Sequence, residues 1–430
     1  MDVKPSRWLP EHRRQELHSL ANRSQQVVTL AAVTGVITGL FVGGFDRLVV
    51  DVAFDHVLLL SPWLLAFVPG FGLLGAMLIR KLAGGISPST ADEYLHAFHD
   101  PKHDLGWRVL IVRSLAAVVT LGTGSPMGLE GPSLYAGATV GTRLQQRFPR
   151  VFRDADRRVL LAAGAAAGVA AIFKAPATGA VFALEVPYRG DLVRRMLLPA
   201  LVASATGYLA FVAINGTDTL FHIDGSGGLA YRDLAGAAAL GIVAGLAARG
   251  FAWMIRHAKD LGASNHSLVT TIGAALTIAG AFALGRLLTG ESLLLGAGYH
   301  VLAWAQQPSR SVWVLLAILG LRCVATSATV AGGGVGGLFI PLVVGGALTG
   351  AAMGTIIDRG QMNLFIVIGI AAFLGSGYRV PLAAVMFVAE TTGRPTFIVP
   401  GLLAAVAGEL IMGASSVTGY QVDPNVTPPA

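Results

Sequence analysis

The residue best placed to do chemistry is Glu130, which lies in apolar sequence within Gly128-Leu129-Glu130-Gly131-Pro132. Proline suits the first turn of a helix because it lacks the N–H that would have no partner there, and glycine permits close backbone approach. The segment therefore predicts a helix N-terminus that faces a cavity. Such an end carries roughly half a positive charge and binds anions. Two interpretations of Glu130 follow: a gate that competes with a bound anion, or a plain helix cap.

A second glycine-rich segment, 334–341, has the same features in the other half of the chain. Its glycines interrupt a helix, and Pro341 favours a new helix start. In this interpretation the backbone amides of Leu338 and Phe339 point into a cavity and hydrogen-bond an anion. The alternative is a tightly packed crossing of glycine-rich helices.

Hydroxyl and acidic side chains cluster at 85–93. The favoured interpretation is a capping box, in which Thr90 caps a helix and Glu93 hydrogen-bonds back to it. The hydroxyls of Ser89 and Thr90 are alternatively anion ligands. A third interpretation is a weak Na⁺ site, because hard cations prefer oxygen ligands. Its candidate ligands are Ser87, Ser89, Thr90 and Asp92, and Asp92 is also a candidate for ion coupling.

Further charged residues interrupt apolar sequence, where exposure to lipid is costly. Lys174 either attracts anions or pairs with a carboxylate such as Glu185, and both are candidates for pore lining or ion coupling. Arg113 and Arg322 either raise the potential along a pore or form ion pairs between the repeats, and Glu390 is a further candidate for such an ion pair.

The composition places these residues in a membrane protein. Hydrophobic residues make up 54% of the 430 residues and charged residues 13%, against ~25% charged in soluble domains. Mean hydropathy is +0.65. These values exclude a soluble enzyme, a disordered chain and a disulfide scaffold, and they predict an all-α polytopic membrane protein. The net charge of +7 comes largely from basic residues beside apolar runs, which is typical of membrane anchoring and not of nucleic-acid binding.

Uncharged runs near the ~20 residues that a spanning helix needs lie at 27–45, 57–79, 196–217 and 261–285. The run 323–357 is too long for one span and is rich in glycine, so it predicts two helices with a break between them. Short or interrupted apolar segments of this kind are typical of transporters with discontinuous helices.

The two halves of the chain also resemble each other. Segments 175–185 and 380–390 both begin with a small residue and proline and end in glutamate, 205 residues apart. The Gly-x-x-x-Pro segments 128–132 and 337–341 are 209 residues apart. An inverted duplication would place a substrate site between the repeats. The expected organisation is an N-terminal cytoplasmic amphipathic segment at 1–26, repeats at 27–215 and 234–422, a linker at 216–233 and a C-terminal tail at 423–430.

Taken together, these motifs resemble those of the CLC anion channels and transporters over about residues 27–422. The stretch 128–132 is similar to the family's G-(K/R)-E-G-P, 163–176 to G-A-A-A-G-x-A-A-x-F-N-A-P, and 337–341 to G-x-F-x-P. Thr418-Gly419-Tyr420 falls where the family has its anion-coordinating tyrosine. The match identifies the chain as a divergent, prokaryotic-type relative, in which we expect no CBS domain pair.

The resemblance implies an inverted-topology repeat with broken and re-entrant helices, working as a homodimer with one anion path per subunit. Glu130, followed by Gly131, would be the external gate. Tyr420 would offer its hydroxyl to the central anion, and Leu338 and Phe339 would offer backbone amides.

The inner coordinating serine of the family would correspond to Ser89, followed here by Thr90. The family's G-S-G-I-P is replaced by Pro88-Ser89-Thr90-Ala91-Asp92, so the identity of the anion stays open.

Position 186 is the second departure from the family. Val186 stands where proton-coupled members carry an internal glutamate, and valine carries no proton. Glu185 is one residue away, which on a helix is a turn of about 100°. The standard exchange of two chlorides for one proton is therefore not expected.

The sequence thus predicts transport of a small monovalent anion, chloride or bicarbonate before nitrate or fluoride. A passive path, proton coupling by an unusual route and Na⁺ coupling all stay open. The distant alternative is an intramembrane hydrolase with Ser125, Ser376 or Ser416 as nucleophile and His266 or His300 as base. No enzyme activity, cofactor, resident metal or nucleic-acid partner is expected. We place the chain in the inner (plasma) membrane as a multi-pass protein with cytoplasmic termini.

Overall fold

The computed structural model describes residues 11–152, 158–221, 223, 230–264 and 268–423, with side chains described from residue 22 onward. The first half of this part contains α1 (Glu11–Arg47), α2 (Asp55–Leu58), α3 (Pro62–Leu82), α4 (Ala91–His99), α5 (Trp107–Gly122), α6 (Glu130–Arg147), α7 (Val159–Phe173), α8 (Pro176–Glu185) and α9 (Leu197–Asn215). The second half contains α10 (Tyr231–Ser264), α11 (Leu268–Thr289), α12 (Tyr299–Ala305), α13 (Val312–Ala331), α14 (Phe339–Ile357), α15 (Met362–Tyr378), α16 (Pro381–Thr392) and α17 (Ile398–Met412).

Helix starts follow the proline signals of the sequence. α3, α8 and α16 each carry proline in their first turn, where the missing N–H costs nothing. The predicted break in the run 323–357 is confirmed, because α13 ends at Ala331 and α14 begins at Phe339.

Nine helical stretches of the described chain are long and apolar enough to cross a membrane. The predicted runs 27–45, 57–79, 196–217 and 261–285 lie largely in α1, α3, α9 and α11. α7 and α16 are apolar but shorter. The chain is an all-α polytopic membrane protein, as its composition predicts.

The N-terminal segment continues into the first span. α1 runs without interruption through the predicted boundary at residue 26. The side chains of residues 1–21 in the predicted amphipathic segment lie outside the described part of the structure, as do residues 424–430 of the predicted tail.

The core is made by two pairs of buried helices that pack backbone against backbone. α6 meets α7 where Gly137 and Gly164 each lie against the other's carbonyl, and α14 meets α15 where Gly346 and Gly369 do the same. At all four positions a Cβ atom would overlap main-chain atoms. Small residues at helix crossings permit this approach, which is typical of membrane bundles.

The internal repeat is visible in the backbone itself. Within the described residues, the non-glycine residues with positive φ are Lys174 (52°) and Arg379 (58°). They are 205 residues apart and end α7 and α15, each two residues before a proline that begins the next helix. A left-handed residue is unfavourable outside glycine, so its recurrence at this offset supports two copies of one local fold.

The two repeats are joined by a reciprocal exchange of helix caps. Glu185, at the end of α8, accepts hydrogen bonds from the first amides of α16, Leu382 N (3.0 Å) and Ala383 N (2.8 Å). Glu390, in α16, accepts from the first amides of α8, Ala177 N (2.8 Å) and Thr178 N (2.6 Å). A carboxylate at a helix N-terminus satisfies amides that lack intrahelical partners and complements the helix dipole.

This exchange settles two open alternatives for the buried charges. Glu390 is a helix cap between the repeats, and among the described residues it forms no ion pair. The alternative in which Lys174 pairs with Glu185 is wrong, because the Lys174 ammonium donates to the Asp218 carbonyl at 2.9 Å and Glu185 is taken up by α16.

Removing the charge of either cap should weaken the joint between repeats. We expect Glu185→Gln and Glu390→Gln each to lower the free energy of unfolding by about 1–3 kcal/mol, because each amide keeps the shape but replaces a charge-assisted hydrogen bond. Thermal unfolding in detergent measures this. Glu291→Gln is the matched control, because Glu291 lies in an exposed ion pair with Arg310 and such pairs contribute little. Equal melting temperatures for all three variants would contradict the capping role.

Candidate functional site

The two Gly-x-x-x-Pro segments that the sequence pairs by pattern lie against each other in the fold. Gly128 N donates to Gly337 O (3.0 Å) and Gly337 N donates to Gly128 O (2.7 Å), an antiparallel bridge between the repeats. α6 begins two residues after Gly128 and α14 begins two residues after Gly337. The N-termini of the two helices therefore meet at one place, where their dipoles and amides favour negative charge.

The Glu130 carboxylate occupies this place. Its Oε1 accepts a hydrogen bond from Phe339 N, the first residue of α14, at 2.6 Å. Its Oε2 is buried and has no hydrogen-bond partner among the described residues, and the residue is only 4% exposed. The predicted helix start at Glu130 is confirmed, but the side chain reaches across to the other repeat instead of capping its own helix.

Both bridge glycines are required by the Glu130 carboxylate. A Cβ atom at Gly128 would overlap the Glu130 carboxyl group, which contributes the three atoms nearest to it. A Cβ atom at Gly337 would overlap the same carboxyl group and also the backbone of Gly131. Both glycines thus leave room for the Glu130 carboxylate, in addition to breaking the helices.

The packing of the Phe339 side chain fixes the orientation of the Phe339 amide. The Phe339 ring is fully buried and packs against the rings of Phe173 (4.3 Å between centroids), Phe387 (4.9 Å) and Phe182 (5.4 Å). These three rings come from α7, α8 and α16. Aromatic packing of this density fixes the first turn of α14 and aims its amides at Glu130.

A cavity of about 240 Å³ lies between the repeats beside this carboxylate. It contains most of the residues that the sequence assigns to an anion site. Its lining includes Ser87, Ser89, Thr90, Asp92, Gly337, Leu338 and Tyr420. The other predicted site residues are not part of this lining: Glu130, Gly131, Phe339, Lys174, Glu185 and Val186.

The prediction that Thr90 and Glu93 form a capping box is wrong. α4 does begin after Thr90, but the Thr90 side chain makes no capping hydrogen bond; its hydroxyl donates to Gly336 O at 3.2 Å. Glu93 instead pairs with Arg113 (3.2 Å) and contacts His103 (2.8 Å). Tertiary partners in the other repeat and in α5 replace the local ones.

The oxygen atoms proposed for Na⁺ already have partners. Asp92 Oδ2 pairs with the Lys259 ammonium at 2.5 Å and accepts from Ser89 Oγ at 3.2 Å. Asp92 Oδ1 accepts from Gly419 N at 3.2 Å. Ser87 Oγ accepts from Ser89 N at 3.2 Å. An ammonium group therefore neutralises Asp92, and among the described residues no cluster of three His, Cys, Asp or Glu side chains suits a metal ion.

Two tyrosines line the cavity in different ways. Tyr420 is 48% exposed and its ring stacks on that of His96, with 4.8 Å between centroids. Tyr378 is 2% exposed and its ring lies 6.3 Å from that of Phe339. The hydroxyl contact of Tyr420 with an anion stays a prediction, and Tyr378 is a second aromatic candidate in the wall.

Arg113 and Arg322 both have structural partners. The Arg113 guanidinium pairs with Glu93 and donates to Ser87 O (3.0 Å). Arg322 donates to three carbonyls of the loop before α12, those of Leu293 (2.6 Å), Gly296 (2.9 Å) and Ala297 (2.9 Å).

The serine and histidine residues proposed for a hydrolase do not form a catalytic pair where the structure describes them. Ser416 Oγ contacts Thr418 Oγ1 (3.0 Å), and the hydroxyls of Ser125 and Ser376 are buried without hydrogen bonds. His266 lies outside the described residues. The geometry gives no support to this alternative.

Sequence reasoning missed several residues of the cavity wall, among them Met127, Lys259 and Tyr378. Tyr378 could have been found, because it lies 205 residues after Phe173 and precedes the matching Arg379-Val380-Pro381. Lys259 has no such signal, since Lys259-Asp260 resembles the ordinary charged end of a long helix.

Comparison with known proteins gives a consistent result. A family model described as voltage-gated chloride channel matches residues 71–413. The H⁺/Cl⁻ exchange transporter ClcA of Cronobacter sakazakii is 28% identical over 404 residues, which are 90% of this chain and 86% of that protein. The ClcA of Salmonella typhimurium is 28% identical over 430 residues, 93% of this chain and 88% of that protein.

Solved structures share the fold. A slow cyanobacterial Cl⁻/H⁺ antiporter superposes with a TM-score of 0.79 at 22% identity, covering 90% of this chain and 94% of that chain. A CLC-type fluoride/proton antiporter superposes with a TM-score of 0.80 at 21% identity, covering 92% and 98%. At these identities the likeness establishes the architecture.

The seating of Glu130 can be tested by adding one methyl group. We expect Gly128→Ala to displace the Glu130 carboxylate from Phe339 N, because the three atoms nearest to the new Cβ all belong to that carboxyl group, and to lower the melting temperature. In a Glu130→Ala background the same change should cost much less, since the clash with the carboxyl group has gone. Additive losses in this double-mutant cycle would show that Gly128 serves the backbone alone.

Proposed function

The chain belongs to the voltage-gated chloride channel (CLC) family, and from this premise we propose that it carries a small monovalent anion through the site that Glu130 occupies. It is an anion transporter of that family; the identity of the anion, its coupling and the role of each residue are our proposal. Chloride is the first substrate to test. Bicarbonate follows, and nitrate and fluoride come after it.

The observation that carries the proposal is the position of the Glu130 carboxylate. A carboxylate that accepts a hydrogen bond from the first amide of α14, where the N-termini of α6 and α14 meet, takes the place that a transported anion would take. Only one of the two can be there at a time. Protonation of Glu130 would weaken its hold on the helix ends and free the site for the anion.

The path would continue from Glu130 into the cavity between the repeats. The backbone amides of Leu338 and Phe339, with the hydroxyls of Ser89 and Thr90, are the proposed ligands, because Leu338, Ser89 and Thr90 line this cavity. Gly131 leaves room for the same site, because a Cβ atom at this position would overlap Thr90 Oγ1.

We propose that the transporter does not use the standard exchange of two chlorides for one proton. Val186 is 2% exposed and ends α8, where it contributes no titratable group. The neighbouring Glu185 caps α16, and we assign it a role in the stability of the fold. The ClcA relatives are H⁺/Cl⁻ exchangers by name, so proton movement is the comparison that decides this point.

Coupling to Na⁺ is the weaker alternative, because Lys259 neutralises Asp92 in the cavity. Assembly as a homodimer, with one path per subunit, is part of the proposal and rests on the family. Placement in the plasma membrane with cytoplasmic termini is part of it as well.

Anion flux from proteoliposomes tests the proposal. We expect purified protein to release chloride, faster at low pH than at high pH, because protonation removes the competing carboxylate. Glu130→Ala should keep the flux and lose its pH dependence. Ion-selective electrodes for chloride and for protons, read together, make the measurement, with bicarbonate, nitrate and fluoride in parallel.

Three outcomes separate the parts of this proposal. A chloride gradient that drives protons uphill, at a fixed ratio of chloride ions to protons, would show that coupling survives without a glutamate at position 186. Failure of all four anions to move in the wild-type protein would reject anion transport, and stimulation that requires Na⁺ would restore the sodium alternative.

A further inference from the structure

A second carboxylate holds anion-binding groups at the cavity. Asp92, in the first turn of α4, pairs with the Lys259 ammonium of α10 at 2.5 Å. Both residues line the cavity of about 240 Å³, and they come from opposite halves of the chain. The same carboxylate accepts hydrogen bonds from Ser89 Oγ and Gly419 N, each at 3.2 Å.

All three partners of Asp92 are groups that bind anions. An ammonium, a hydroxyl and a backbone amide are donors, and none of them is specific for a carboxylate. The arrangement therefore parallels the one at Glu130, where a carboxylate of the protein holds an amide that an anion could use. Gly336, Gly337 and Leu338 border the cavity and directly precede Phe339, whose amide Glu130 holds.

The pair is placed so that it can open. The Lys259 side chain is 31% exposed and that of Asp92 is 12% exposed, so water reaches the ammonium from the cavity. Lysine is a flexible point charge with rotatable donors, and it already has a second acceptor, Val417 O, at 2.8 Å. The ammonium can therefore leave Asp92 without losing every hydrogen bond.

We propose that Lys259 is a binding residue for the transported anion and that Asp92 is its intramolecular competitor. The incoming anion takes the place of the Asp92 carboxylate on the ammonium before it moves on to the amides at the start of α14. This inference rests on the proposed function and adds an entry site to it. It assigns the first binding of the anion to a charge pair that joins the two repeats.

The rival explanation is structural. Lys259 and Asp92 both contact the segment 417–419, so the pair could serve only to hold this segment against α4 and α10. The two explanations predict different directions of change in anion affinity. A structural pair is damaged in the same direction by the loss of either partner, whereas a ligand and its competitor have opposite effects on anion affinity.

The experiment measures the KM for chloride from initial uptake rates into proteoliposomes. Lys259→Gln should raise KM about tenfold or more, the effect of losing a hydrogen bond to a charged group. Asp92→Asn should lower KM several-fold, because the ammonium is then released to the anion. Lys259→Arg keeps the charge and should bring KM back toward the wild-type value.

Arg379 and Glu409 provide the matched control. They form an ion pair of 2.9 Å with side chains 15% and 22% exposed, and neither lines the cavity. Arg379→Gln and Glu409→Gln should leave KM unchanged even where they lower the melting temperature, which separates loss of stability from loss of binding.

The outcomes distinguish this inference from the proposed function. If the wild-type protein carries chloride but Lys259→Gln and Asp92→Asn shift KM in the same direction, or shift it no more than the controls do, the pair is structural and the inference is overturned. If the wild-type protein carries none of the tested anions, the proposed function fails and this inference fails with it.

Discussion

The contact between the N-termini of α6 and α14 is the constraint on which the rest of the structure depends. Two helix ends of like polarity repel each other unless negative charge lies between them. The Gly128–Gly337 bridge brings the ends together, and the Glu130 carboxylate supplies the charge. A protein that must hold a carboxylate here also has a site that a free anion can use once the carboxylate leaves. Under the proposed function, gating and anion binding both follow from this one electrostatic requirement.

The remaining charged residues near the repeat interface serve this arrangement in distinct ways. Glu185 and Glu390 fix α8 and α16 to each other by exchanging caps, and both helices contribute aromatic rings that orient Phe339. Asp92 and Lys259 join the repeats at the cavity wall. Charge that would be costly in lipid is therefore stabilised by partners, and these two caps and this ion pair link one repeat to the other.

Much of this could be predicted from the sequence, because strong local signals agree with the fold. Apolar runs locate the spans, prolines mark the starts of α8 and α16, and the two Gly-x-x-x-Pro segments identify the residues that meet at the site. Prediction failed where distant partners displaced local ones. Thr90 and Glu93 have the spacing of a capping box. In the folded chain, however, Thr90 hydrogen-bonds to Gly336 and Glu93 pairs with Arg113. Lys259 was missed because its role depends on Asp92, 167 residues earlier, and no repeat pattern links them.

The most direct test of this account is to locate a heavy halide in the protein. A structure of Glu130→Ala determined with bromide should show bromide within hydrogen-bond distance of Phe339 N, in the place that the carboxylate occupies in the wild-type protein, because the helix ends still require negative charge. The wild-type protein at the same bromide concentration and neutral pH should show the carboxylate there. Bromide absent from this position in the variant, with the junction of α6 and α14 otherwise intact, would contradict the claim that Glu130 stands in for the transported anion.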